Sequence, residues 1–172
     1  DGRIDAADNV IIGSTIPRYT FGANFNASYK GFDLNVFLQG VGKADGYLYE
    51  ETIMPFFHGG TVQEQHKDHW TPQNPNATFP RLAFNEVNNE QNSSFWLKDA
   101  SYMRVKNLQI GYNFPAAWSR KVGASNVKIY LSGRNLFTVD NFWDGHDVET
   151  PVGTGHDYPL VKVYTIGLNV KF

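Results

Sequence analysis

The 172-residue sequence predicts an all-β fold: five antiparallel strands belonging to a large transmembrane β-barrel, with short periplasmic turns at one rim and long outer loops at the other. Three observations carry this reading. Five segments alternate large apolar with small or polar residues at period two, as a sheet with two unlike faces requires. The polar parity is rich in amides, which suits a wet lumen better than open solvent, where Lys, Glu and Thr are commoner. The connections alternate between very short and very long, so if the turns mark one rim, the long loops all mark the other.

The composition bounds the class. A formal net charge of −2 argues against a nucleic-acid surface, which would be strongly basic. Thirteen Phe, nine Tyr and four Trp exceed what a small core needs, and several fall in Gly-, Asn- and Pro-rich stretches where no core strand can run. With no cysteine there is no disulfide framework and no thiolate metal site. No apolar run is long enough for a membrane helix, but a spanning strand needs only about 9–11 residues.

The chain opens inside what reads as a motif already under way. Asp1, the carbonyl of Arg3, Asp5 and Asp8 around Gly2 resemble the second half of a calcium loop whose first ligands would precede Asp1. The alternative is an acidic turn with helix-capping Asp residues. From Tyr19 the alternation becomes strict: Tyr19, Phe21, Ala23, Phe25, Ala27 and Tyr29 against Thr20, Gly22, Asn24, Asn26, Ser28 and Lys30. A very tight turn at Lys30-Gly31 leads into Phe32, Leu34, Val36 and Leu38, which predicts a hairpin.

Between Gly46 and Ser94 periodicity disappears among prolines, asparagines and histidines, which predicts a long connection with only short local structure. In the next strand Met103 and Val105 share one parity while Leu108, Ile110, Tyr112 and Phe114 share the other. That slip predicts a β-bulge near Lys106-Asn107. Pro115 ends the strand, and a helical turn is expected around Trp118. Val127, Ile129 and Leu131 open a fourth strand that loses phase at Arg134-Asn135-Leu136, and Asp140 to Leu160 forms the second long loop.

The closing strand sets Tyr164, Ile166, Leu168, Val170 and Phe172 against Val163, Thr165, Gly167, Asn169 and Lys171. By itself this strand favours a soluble β-sandwich, since such sheets are commoner, and the rest of the chain reverses that preference; a carbohydrate-binding sandwich module stays open as the alternative. Five strands fall short of the smallest membrane barrels, which have about 8, so the barrel reading expects a longer protein.

Catalysis and metal binding find little support. His66 and His69, with His58 nearby, have no third ligand at fixed spacing and read as a solvated loop. Glu50, Glu51, Glu64 and Glu86 have no fixed separation, on which a glycosidase pair would depend. The loop aromatics are better candidates: Trp70, Phe79, Phe95, Trp96, Trp143 and Tyr158 offer flat faces on which sugar rings stack or a protein partner anchors. The competing role for them is packing the loops against each other.

Seven segments, in order, carry a family resemblance: Asp1-Gly2-Arg3-Ile4-Asp5 with Asp8 and Ile12-Gly13; Ser28 to Leu34; Phe37-Leu38-Gln39-Gly40; Trp70-Thr71-Pro72 with Asn74-Pro75 and Pro80-Arg81; Asp99 to Leu108; Ser132 to Phe137; and Tyr164 to Phe172. Together they resemble the carboxy-terminal end of the SusC/RagA-like family, the TonB-dependent outer-membrane transporters of Bacteroidetes that import glycans or peptides. The resemblance implies a barrel of about 22 strands in the cell outer membrane, an amino-terminal plug upstream of Asp1, drive from the TonB complex, and a SusD-like surface lipoprotein as lid. It also implies that Tyr164, Ile166, Leu168, Val170 and Phe172 act as an assembly signal. Closure of the sheet edges by this last strand follows from sheet physics.

Overall fold

The computed structural model describes residues 6–84, 87–158 and 160–172. Among them are nine strands: β1 Tyr19–Tyr29, β2 Phe32–Gly42, β3 Asp45–Leu48, β4 Leu97–Asp99, β5 Tyr102–Asn113, β6 Asn126–Arg134, β7 Thr138–Asp140, β8 Val152–Gly153 and β9 Val163–Lys171. One helix, α1, spans Ala116–Lys121, and short 3-10 turns occupy Ala6–Asp8, Glu50–Thr52, Phe57–Gly59 and Glu64–Lys67. No helix among the described residues is long and apolar enough to cross a membrane. The chain divides into two compact units, one of Pro17–Ala44, Ala100–Asn141 and Pro159–Phe172, the other of Asp1–Ile16, Asp45–Asp99 and Phe142–Tyr158.

The first unit is an antiparallel sheet in the order β1-β2-β5-β6-β9, with β7 continuing the pairing along β5. Lys30 and Gly31 both take positive φ (46° and 90°), the backbone of a two-residue hairpin turn whose twist matches its strands. The expected bulge lies at Lys106: Phe37 pairs with Asn107 and Leu38 with Val105, so Lys106 has no opposite residue and the apolar parity is restored across it. The expected loss of phase after β6 is a second irregularity. Asn135 turns at φ 53°, and the chain resumes as β7 against Tyr102–Arg104.

Because the register is unbroken between the bulge at Lys106 and the turn rim, side chains of one parity form rows there across all five long strands. One row is Ala27, Leu34, Ile110, Leu131, Ile166, and another is Tyr29, Phe32, Tyr112, Ile129, Leu168. On the opposite face the rows read Asn26, Asn35, Gln109, Ser132, Thr165 and Ser28, Asp33, Gly111, Tyr130, Gly167. Gly167 is needed in the latter, since the Tyr130 ring lies where a side chain would stand. The apolar rows are not a buried core: Phe25 is 58% exposed, Leu131 60%, Ile166 71% and Leu168 66%. A sandwich would bury that face, whereas a lipid-facing barrel wall presents it.

The second unit was expected to hold only short local structure, and it is more ordered than that. β3 pairs antiparallel with β4 and parallel with β8, joining segments more than a hundred residues apart in sequence. Leu48, Ile53, Met54, Phe79, Trp96, Trp143 and Val148 form a buried core under these strands and turns. The five predicted strands thus become nine. Four were missed because strands of two to four residues carry no measurable alternation, and non-local pairing makes them.

Of the calcium half-loop, Asp1, Arg3 and Asp5 lie outside the described residues, while Asp8 ends the Ala6–Asp8 turn, exposed.

Candidate functional site

Two surfaces have the chemistry to meet a polar solute. The first is the amide-rich face of the sheet. Asn35, on β2, donates from Nδ2 to Oδ1 of Asn24 at 3.4 Å and also to Asn26, and its own Oδ1 accepts from Asn107 at 3.4 Å. These bonds run across β1, β2 and β5. Nearer the turn rim, Asp33 accepts from Asn113 Nδ2 and from Lys128 Nζ, each at 2.9 Å. This face is wettable, uncommitted to one charge, and held in place by its own bonds, which suits the wall of an aqueous lumen.

The second surface is the loop unit, where aromatic rings cluster. Phe79 stacks on Trp143 with centroids 5.5 Å apart, meets the His66 ring edge-on at 4.7 Å, and lies 6.5 Å from Trp96. Phe95 adds an edge-on contact to Trp96 at 4.9 Å, and Lys98 Nζ sits 4.2 Å over the Trp143 ring. Trp96 donates its indole N–H to the carbonyl of Asn89 at 2.9 Å. The Trp143 indole nitrogen is buried and has no hydrogen-bond partner.

His66 belongs to this core and not to a solvated loop, which corrects the sequence reading. It is 1% exposed; Nε2 lies 2.9 Å from the Ile53 carbonyl, and Nδ1 accepts the Gln63 backbone N–H at 2.9 Å. An Nδ1 that accepts must be unprotonated, so the proton is on Nε2 and the ring is neutral. Burial holds its pKa below the ordinary histidine value, partly offset by the bond to Ile53, and burial lowers that of His146 as well. The neighbouring Asp68 organises a turn, accepting from Thr78 N at 3.0 Å and Asn74 Nδ2 at 2.9 Å. Hydrogen bonds from Thr78 and then Asn74 hold its carboxyl below the usual range. The sequence signal for His66 was available: Gln63 and His66, three apart, form a reciprocal cap at the start of a 3-10 turn.

The structure separates the six candidate aromatics into two groups. Phe79, Trp96 and Trp143 are 3%, 1% and 5% exposed and pack the loop core. Trp70, Phe95 and Tyr158 are 40%, 48% and 88% exposed and keep free ring surface. Sequence reasoning passed over Tyr47 and Tyr49, which line a cavity of about 480 Å³ with Ile12, Gly13, Thr15, Asn92 and Leu97. Their position on and after the short β3 gave no periodic signal. Among the described residues no group of three or more His, Cys, Asp or Glu side chains is placed to hold a metal ion. Tyr164, Ile166, Leu168 and Val170 all stand on the exposed apolar face of β9, with Phe172 beyond its end and 88% exposed.

An open antiparallel sheet with one lipid-like and one amide-lined face, short turns at one end and long connections at the other, is a section of transmembrane β-barrel wall. No protein-family model matches the chain. Over its whole length it is 34% identical to TonB-dependent receptor P3 of Formosa agariphila, of which it spans 18%, and 22% identical to TonB-dependent receptor SusC of Bacteroides thetaiotaomicron, of which it spans 17%. Among solved structures, the RagAB peptide importer in its open-open state superposes on the whole chain with a TM-score of 0.74 at 26% identity, the chain covering 19% of that one. Over its whole length the chain is therefore similar to a segment of SusC/RagA-like TonB-dependent receptors, spanning less than a fifth of each, and its sheet is not closed on itself.

Proposed function

We propose that this chain serves outer-membrane nutrient import, as the carboxy-terminal barrel wall and outer loops of a SusC-like, TonB-driven transporter that takes up oligosaccharides or peptides beneath a SusD-like lipoprotein. The observation that carries the proposal is the set of rows across the sheet: apolar and exposed on one side, hydrogen-bonded amides on the other. Such a wall is stable only between lipid and water. The similarity to SusC and to a peptide importer supports the transport reading, and the glycan and peptide alternatives share the same wall. Loop residues Trp70, Phe95 and Tyr158 are the contacts for substrate or lid, since their exposed rings can be desolvated by either. No group in the chain is assigned a catalytic role.

Expression of the full-length protein together with a SusD-like lipoprotein tests this. A heat-modifiable, membrane-inserted species that co-purifies with the lipoprotein, and uptake of either a labelled oligosaccharide or a labelled peptide that stops when TonB is removed, are the expected results. A protein recovered in the soluble fraction that binds sugar without transporting it would restore the sandwich module.

A further inference from the structure

The turn between β5 and β6 contains a feature that nutrient import does not use. Its helix, α1, has the sequence Ala116-Ala117-Trp118-Ser119-Arg120-Lys121, and Val122 and Gly123 follow. Trp118 and Val122 are four apart, thus on one side of the helix, and both are exposed, at 51% and 56%. Ser119, next to Trp118, is fully buried against the protein. Arg120 and Lys121 are exposed, and the whole connection from Phe114 to Ser125 contains no Asp or Glu.

The position of Trp118 is set by the apolar face of the sheet. Phe114 follows β5 with the parity of Leu108, Ile110 and Tyr112, and its N–H bonds the Val127 carbonyl at 2.9 Å, so it extends the apolar row through Val127 and Val170. Trp118 stacks on Phe114 with centroids 4.9 Å apart and planes at 19°. The stack continues through Tyr112, 5.2 Å from Phe114, to Phe32, 4.7 Å further on. An unbroken ladder of rings therefore joins the lipid-facing wall to α1, and α1 carries the ladder past the last hydrogen-bonded residues of the strands. Beside it, Lys30 Nζ lies 5.2 Å from the ring centre of Tyr29 at the same rim.

We propose that α1 is an interfacial foot: Trp118 and Val122 enter the boundary between headgroups and acyl chains at the turn rim, and Arg120 with Lys121 bind the phosphates of anionic phospholipids there. This deepens the membrane-barrel reading and rests on it. A turn that only joined two strands could be short and polar. This one presents an amphipathic ring and an aliphatic side chain continuous with the lipid face, next to two exposed cations with no acidic residue in the same connection. An aqueous partner would require Trp118 to leave hydrocarbon-like surroundings that the Phe114 stack already extends, so the membrane is the occupant that both the apolar and the charged parts fit.

The test uses the full-length protein in nanodiscs of phosphatidylethanolamine with and without phosphatidylglycerol. Phosphatidylglycerol retained per protein is measured by native mass spectrometry for wild type, for Arg120→Gln with Lys121→Gln, and for Lys162→Gln at the opposite rim as control. Retention at the foot should fall by about fivefold for each charge removed, and the control should match wild type. In parallel, lipid brominated on the acyl carbons nearest the headgroup should quench a fraction of wild-type tryptophan fluorescence that Trp118→Phe lacks. That arm reads the foot even if the double variant fails to insert. Equal phosphatidylglycerol retention in wild type and double variant, or equal quenching with and without Trp118, overturns the foot while leaving the barrel. Wild-type protein that does not enter nanodiscs overturns both.

Discussion

The two units of this chain solve the burial problem in opposite ways. In the sheet unit the large apolar side chains are regular and exposed; Ile166 and Phe25, 71% and 58% accessible, belong to rows that cross every long strand. In the loop unit they are irregular and hidden, with Leu48, Ile53 and Trp96 at 1% or less. The first unit is made for a solvent that is itself apolar, so it needs no core of its own; the second is made for water and builds one. Exposure of an apolar residue is therefore informative here only together with its periodicity.

Trp96→Ala should give the largest effect and break the comparison on the watery side. Emptying a fully buried indole site costs about 3–5 kcal/mol, and the loss should appear as faster hydrogen exchange and protease cleavage in residues 45–99 while the membrane-inserted, heat-modifiable fraction is kept. Next comes the lipid side: Ile166→Arg or Leu168→Arg should cost about 2–4 kcal/mol in a membrane refolding titration if the site lies near mid-bilayer, whereas Thr165→Arg or Asn169→Arg should be mild. Equal costs at both parities would mean that the two faces of β9 meet the same surroundings.

Smaller effects sharpen the distinction within the loops. Trp70→Ala, which removes exposed surface, should weaken binding of substrate or lid by about 2 kcal/mol if the ring is a central anchor, without raising exchange in the loop core. Trp143→Ala should do the reverse, because its ring lies inside the core. The mildest expectation is a pH dependence. The pKa values of His66 and His146 are lower in the folded loop than in the unfolded chain. Below roughly pH 6.5 the unfolded chain takes up protons that the native ring refuses, so stability is full above that value and falls as pH drops towards the folded pKa. The slope is at most about 1.4 kcal/mol per pH unit for each histidine. Loop proteolysis measured across this range should accelerate on acidification, and His66→Gln should flatten the response; a rate independent of pH would refute the assignment of a neutral, buried His66.

Residues whose role depends on local pattern were legible without coordinates. The alternation from Tyr19 to Leu38, the parity slip at Lys106 and the tight turn at Lys30-Gly31 each follow from the period of two and the geometry of single turns. The seven segments quoted for the resemblance pointed to the family type, because most of them are strand and turn signatures. Tertiary structure alone decided which aromatics are free and which are packed. Phe79 and Trp70 look alike in sequence, yet one lies between His66, Trp96 and Trp143 and the other faces solvent. It also decided that β3 would find β8 across more than a hundred residues and that His66 would be enclosed and neutral. Those outcomes depend on contacts between distant segments, each too short to carry a period of its own, and so on a packing arrangement that no local window of the chain contains.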